Sequence, residues 1–208
     1  VRQIEFVRAA AMRTLDSLGW RAGPDGVRAR NGRQLAFTLL VPVIPTRLAL
    51  AVLIQEQLRL AGVKVDIEKI DVSAMVDRVK LHAFDAVMGG FTSSPSPSGV
   101  TQTWTSAAAA KGGLNYGGYE SKSFDAQVDS AGASGSIAIA KAHYKAANQI
   151  IVDDAPAIWL YEPPILAGAN VRLQIGTVRA DAWWMGIPGW TIAPGKELPR
   201  DAASAKSP

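Results

Sequence analysis

The sequence predicts an α/β fold with a mainly parallel sheet flanked by helices, and three observations carry the prediction. Residues 35–91 read strand–helix–strand–helix–strand, with helical spacing between extended apolar runs. Helices between successive strands imply parallel pairing through crossovers, because antiparallel neighbours need only a tight turn. The chain has 208 residues, 48% hydrophobic and 19% charged, enough for a sizeable core. No apolar run approaches the ~20 residues that cross a bilayer, since the richest, Leu48 to Leu60, is broken by Gln55, Glu56, Gln57 and Arg59.

Ile4, Val7, Ala11, Leu15 and Leu18 recur at steps of three and four, which predicts a helix over 2–18 stopped by Gly19. That pattern already runs at Arg2 with no capping residue ahead of it, so the chain reads as a fragment of something longer or as a cleaved product. Gly23-Pro24-Asp25-Gly26 is a turn, and Asn31-Gly32 is a strong hairpin signal. Leu35 to Val41 is a buried strand, broken by Pro42 and Pro45, after which Thr46 can cap a helix running to about Ala61 and stopped by Gly62. Val63, Val65 and Ile67 alternate with Lys64, Asp66 and Glu68, the signature of a strand with one wet face. Asp71 or Ser73 caps a third helix with Val72, Met75, Val76 and Val79 on its apolar side, and Phe84 to Phe91 is the third strand.

That strand runs straight into a loop of glycine, serine and proline, and ligands on parallel sheets bind beyond the carboxyl ends of the strands. Residues 92–120 form the longest irregular region, although Trp104, Tyr116 and Tyr119 argue against plain disorder. Helices follow near 121–132 and 137–153, the second with a stripe of Ile137, Ala140, Tyr144, Ala147 and Ile151. Ala157 to Glu162 reads as a strand stopped by Pro163-Pro164, the segment 171–192 carries Trp183, Trp184 and Trp190, and the tail from Ala193 is expected to be loose.

The formal charge is +4, and seven arginines within residues 1–33 face only Glu5, Asp16 and Asp25. They are spread over a helix and a turn without interleaved aromatics, so a solvated basic face is expected and a nucleic-acid partner is not. The absence of cysteine excludes disulfides, thiol catalysis and thiolate metal sites. His82 and His143, each on a predicted helix, stand about sixty positions apart, too isolated in sequence for a metal cluster. Asp153 and Asp154 are neighbours at a helix end and do not face each other. There is no Gly-x-Ser-x-Gly elbow and no phosphate loop, and the serines at 93, 94, 96 and 98 have no nearby histidine or acid. No enzymatic activity and no cofactor are expected. Binding is better served: Trp104, Tyr116 and Tyr119 offer stiff faces with polar handles, Asn115 a donor and an acceptor, and Gly117 and Gly118 close backbone approach. The competing reading is that these aromatics pin a long loop to the core. Trp159 and Phe84 are expected in the core.

The order of these pieces resembles the C-terminal lobe of family 5 extracellular solute-binding proteins, the dipeptide, oligopeptide and nickel group that serves ABC importers. The resemblance rests on Ala11 to Trp20, Ile54 to Leu58 with Ala61 to Val65, Phe84-Asp85-Ala86 before Gly89-Gly90-Phe91, Asn115 to Tyr119, Phe124-Asp125, and Asp154 to Pro156 with Leu160-Tyr161, spanning residues 5–165. It implies a periplasmic-binding-protein-like lobe in residues 1–165, a returning C-terminal segment in 166–192 and a loose tail in 193–208. It implies a partner N-terminal lobe absent from this sequence, hinge closure on a peptide or other small solute, and delivery to permease subunits. The location would be periplasmic, or on the outer face of the cytoplasmic membrane. Phe91, Ser93, Ser94, Trp104, Asn115, Tyr116 and Tyr119 are the expected solute contacts. In peptide-binding members an aspartate soon after the cleft aromatic pairs with the peptide's amino terminus. With Phe91 as that aromatic, Ser93 or Ser94 stands near its place, and serine cannot supply the charge that an ammonium needs, which disfavours a free-amine dipeptide. The lack of clustered histidine disfavours direct nickel ligation. The alternative implied class is the sensory domain of a transcriptional regulator, separable by what precedes Val1.

Overall fold

The computed structural model describes residues 1–90, 98–110, 112–162, 166, 168–179 and 182–204. The chain divides into two units, Val1–Ala157 and Ile158–Pro208.

The first unit begins with α1 (Arg8–Ser17), six residues later than its periodicity predicts. Its cap residue, Val7, has no side chain able to accept the first orphan N–H groups. The preceding segment is bonded elsewhere: the Arg2 N–H donates to Gln149 Oε1 at 2.7 Å, and Gln149 Nε2 donates back to the Arg2 carbonyl at 3.3 Å. The strands β1 (Arg21–Ala22), β2 (Arg28–Arg30) and β3 (Arg33–Gln34) form an antiparallel meander. Asn31 and Gly32 turn it with φ of 51° and 76°, as a two-residue hairpin requires.

The parallel sheet is built from β4 (Ala36–Pro42), β5 (Lys64–Ile70) and β6 (Ala86–Val87) in the order β5-β4-β6. Two helices make the crossovers, α2 (Pro45–Arg59) and α3 (Val72–Lys80). Pro45, not Thr46, opens α2: its fixed φ suits the first turn, and no side chain caps the helix. Asp71 caps α3 by accepting from the Ser73 N–H at 2.8 Å. Of the predicted strand at 84–91, two of the described residues are strand; on its amino side the Asp85 carboxylate takes the Thr38 N–H at 2.9 Å, where a longer ladder would continue. Leu39, Val41, Ala51, Val63, Val65 and Met88 form the core between sheet and α2, with Leu15 of α1 packed against it.

Residues 98–109 are more ordered than the predicted loop, forming α4 (Ser98–Trp104) and a 3-10 turn at Ser106–Ala109. Then come α5 (Lys122–Ala133) and α6 (Ile137–Asp154), which pack on each other around a second core of Phe124, Val128, Ala147 and Ile151. Ile137, expected in that stripe, is 89% exposed at the first turn of α6.

In the second unit, β7 (Leu173–Gln174) and β8 (Thr191–Ile192) pair antiparallel, and a 3-10 helix at Trp183–Gly189 lies between them in sequence. Trp183 stacks on Trp190 at 6.2 Å and meets Trp184 edge-on at 6.1 Å. The short α7 (Pro199–Ser204) is tied back by Asp201, which accepts from Arg172 Nη1 at 2.7 Å. The expected strand at 157–162 does not form: Ala155 turns left-handed at φ 49°, and Ile158 to Tyr161, Trp159 included, are exposed and adopt no strand. Among the described residues no helix is long and apolar enough to cross a membrane.

Candidate functional site

The carboxyl edge of the parallel sheet is built from the residues after each strand. Val43 and Ile44 follow β4, Asp71 follows β5, and Met88-Gly89-Gly90 follow β6. Val43 and Ile44 are exposed there, so the edge presents apolar surface beside backbone. One cation belongs to it: Arg47, in the first turn of α2, donates from Nη1 to the Met88 carbonyl at 3.2 Å and is half-buried. A Cβ added at Gly90 would stand 2.9 Å from Arg47 Nη2, so the glycine gives the guanidinium its room. A guanidinium has five donors, and this bond uses one of them. Arg47 was missed by sequence reasoning; the available signal was its position two residues into a helix opened by proline at a strand's carboxyl end. Phe91, Ser93 and Ser94, which continue the chain from this edge, lie outside the described residues.

The other four predicted contacts sit together around residues 104–119. Asn115 is only 3% exposed. Its Nδ2 donates to the Thr105 carbonyl at 3.1 Å and the Tyr119 carbonyl at 2.7 Å, while its Oδ1 accepts the Tyr119 N–H at 3.0 Å. Both donors are therefore consumed inside the loop, and the residue holds it in shape. Trp104 and Tyr119 meet edge-on at 6.4 Å, and Tyr119 meets Phe124 edge-on at 5.9 Å, so both rings join the α5–α6 core. The Tyr119 hydroxyl donates to Asp154 Oδ2 at 2.6 Å. Burial first, and then the Asp154 carboxylate that its proton serves, push the Tyr119 phenol up to about 12.

Tyr116 is different. It is half-buried, and its ring has no aromatic partner among the described residues. Its carbonyl accepts from His82 Nδ1 at 2.8 Å; a carbonyl carries no proton, so Nδ1 must be the donor. His82 follows the last turn of α3, whereas Asp71 at the opposite end of that helix marks the carboxyl edge. Nine residues at 1.5 Å each separate the two ends by about 13 Å. The structure thus brings Trp104, Asn115 and Tyr119 together as packing and loop-fixing residues, and holds the Tyr116 backbone at the other end of α3 from the Arg47 edge. A cavity of about 360 Å³ beside that end is lined in part by Arg78, His82, Phe84 and Asp85, so Phe84 lines a cavity wall and is not enclosed in the core. Arg78 there is ion-paired with Glu68.

The arginines near the amino end have intramolecular work. Arg28, 4% exposed, donates to Asp16 at 2.6 Å, to the Trp20 carbonyl at 2.8 Å and to the Ala61 carbonyl at 2.9 Å. Arg30 donates to the Leu18 carbonyl at 3.0 Å and lies over the Trp20 ring. Arg21 donates to the Asp16 carbonyl. These cations close the carbonyl end of α1, where the helix dipole favours positive charge. The Arg28 guanidinium, foremost by hydrogen bonding, holds the Asp16 carboxyl below its ordinary range.

Among the described residues no group of three or more potential metal ligands gathers. An open parallel-sheet edge with apolar residues and a cation can bind and orient a solute. A model of the bacterial extracellular solute-binding proteins, family 5 Middle, matches residues 2–112, more than half of the chain, and the chain belongs to this family. Among its relatives is the oligopeptide-binding protein AppA of Bacillus subtilis, 28% identical over 199 residues, which are 89% of this chain and 36% of AppA. The structure of AppA in complex with a nonapeptide superposes with a TM-score of 0.75 at 25% identity, covering 93% of this chain and 39% of that one. Protein XP55 of Streptomyces lividans is 30% identical over 148 residues, 70% of this chain and 27% of XP55. DppA of Helicobacter pylori, in complex with the peptide STSA, gives a TM-score of 0.64 at 25% identity over 75% of this chain and 29% of that one. The chain thus spans about a third of the length of the curated relatives it matches.

Proposed function

We propose that this chain is the C-terminal lobe of the solute-binding component of an ABC importer. The whole protein captures a peptide-like or other small solute between two lobes, outside the cytoplasmic membrane, and delivers it to a permease without breaking a bond in it. The observation that carries the reading is family membership across residues 2–112, the stretch that builds the parallel sheet and its carboxyl edge. The nonapeptide in AppA and the tetrapeptide STSA in DppA support a peptide-like cargo. Arg47 at the edge suits a solute carrying a carboxylate, because a half-buried guanidinium binds that group bidentately. Phe91, Ser93 and Ser94, continuing from the same edge, supply an aromatic face and two hydroxyls. Tyr116 is a second contact on the loop that Asn115, Trp104 and Tyr119 hold in place. The lobe is read as residues 1–165, followed by a returning segment in 166–192 and a tail in 193–208; the unit boundary after Ala157 lies near the first of these divisions.

Native mass spectrometry of the full-length protein, purified without denaturation from its source, tests this. A small organic solute that leaves on unfolding with its mass unaltered is the expected result. Conversion of the bound solute to a product on incubation would overturn the reading.

A further inference from the structure

We propose that His82 is a positioning residue that latches the two cores of the first unit to each other. The inference rests on the solute-binding reading in one respect: a lobe that closes on cargo by hinge motion must move as one body. The sheet core and the α5–α6 core share no residue. The hydrogen bonds that join the two groups include those of Arg2 with α6 and the bond from His82 to the Tyr116 carbonyl.

The backbone of His82 strengthens the case. Three helices end in the same closing motif. In α1, Gly19 bonds back to Asp16 and Trp20 to Leu15. In α2, Gly62 bonds to Arg59 and Val63 to Leu58; in α3, His82 bonds to Val79 and Ala83 to Arg78. This motif needs a left-handed residue, for which glycine is favoured. Gly19 and Gly62 fill it at φ 85°, but α3 uses a histidine at φ 53°. A side chain at a glycine position is accounted for here by what it reaches, the Tyr116 carbonyl 34 residues away. Asn115 then carries the connection onward, since its own N–H bonds to Ala108 and its side chain clamps Thr105 and Tyr119.

Two substitutions separate the side chain from the backbone. His82→Gly keeps the left-handed turn without strain and removes the donor. His82→Asn keeps both, because asparagine tolerates that conformation and carries an N–H the same number of bonds from Cα as Nδ1. The readout is amide hydrogen exchange in the full-length protein at Asn115, Gly118 and Tyr119, compared with amides inside α5. Loss of one net hydrogen bond predicts about five-fold faster exchange of those three amides in His82→Gly, with α5 unchanged and His82→Asn restored to within about two-fold. No change in His82→Gly, an equal change in α5, or failure of asparagine to rescue would overturn the latch. The exchange measurement needs no cargo. A parallel titration with a synthetic nonapeptide mixture therefore fails separately: absence of binding by the unsubstituted protein counts against the peptide-cargo reading and leaves the latch decided by exchange.

Discussion

Replacing Asn115 tests whether this side chain holds the loop or waits for a ligand. Asn115→Ala removes three hydrogen bonds, to Thr105, to the Tyr119 carbonyl and from the Tyr119 N–H. At about 1 kcal/mol net each, the loss is about 3 kcal/mol, with about 10 °C off the melting temperature for a domain of this size. Asn115→Asp keeps the acceptor for Tyr119 N–H but turns the donor toward two carbonyl oxygens into a carboxylate oxygen. Its folded-state pKa must then lie above the unfolded carboxylate value, because only the protonated form can donate to either carbonyl. A raised folded pKa means stability that is present below the unfolded pKa and lost as pH rises through the folded one. Urea denaturation of wild type, Asn115→Ala and Asn115→Asp at pH 4.5 and pH 7.5 reads both effects. Asn115→Ala should cost the same relative to wild type at both values, and Asn115→Asp should fall further behind at the higher pH. A loss for Asn115→Ala within the surface range of about 0.5 kcal/mol, or an Asn115→Asp penalty independent of pH, would refute the assignment.

With its phenol pushed up to about 12, Tyr119 should give a late step near that pH in an ultraviolet titration, and Tyr119→Phe should delete that step. Because the folded pKa is raised, the stability tied to this proton is complete below pH 10 and is lost as pH climbs through about 12. Gly62→Ala places a Cβ 2.7 Å from Arg28 Cγ at a φ of 85°, so denaturant midpoints should report a loss above the about 1–2 kcal/mol of left-handed strain alone.

Much of the sheet region was legible because local and tertiary preferences agree there. The alternation of Val63, Val65 and Ile67 did mark β5, Asn31-Gly32 did turn the hairpin, and Gly19 and Gly62 did end their helices. The misreadings share one cause, side chains that do the backbone's work. His82 fills a glycine's conformational role, so α3 ends before it and not at a visible stop. Asp85 replaces a strand partner for Thr38 on the amino side of β6, in a run that reads as continuous. Gln149 takes both backbone groups of Arg2, and the helical pattern of the first residues never becomes a helix until Arg8. Arg28 looked like one more surface charge, yet it is buried by three acceptors that lie far apart in sequence. At the candidate site, composition could name Asn115, Trp104 and Tyr119 as ingredients but could not say that the Asn115 amide is satisfied within the loop or that the Trp104 and Tyr119 rings pack against the α5–α6 core. Arg47 belongs to no motif, and only the strand order brings it to Met88.

The most direct test of the account is the affinity of the full-length protein for the solute that it releases on unfolding, measured by calorimetry for wild type, Arg47→Ala and Tyr116→Ala. Trp104→Ala is set aside for this purpose because its ring supports the α5–α6 core. Saturable binding by the wild type is predicted, with about a tenfold or greater loss in Arg47→Ala, as befits a charge-assisted contact at the sheet edge. A smaller loss is predicted in Tyr116→Ala, both variants remaining folded at the assay temperature without solute. Unaltered affinity in both variants would contradict the claim that this lobe grips cargo through its sheet edge and the loop beside α3.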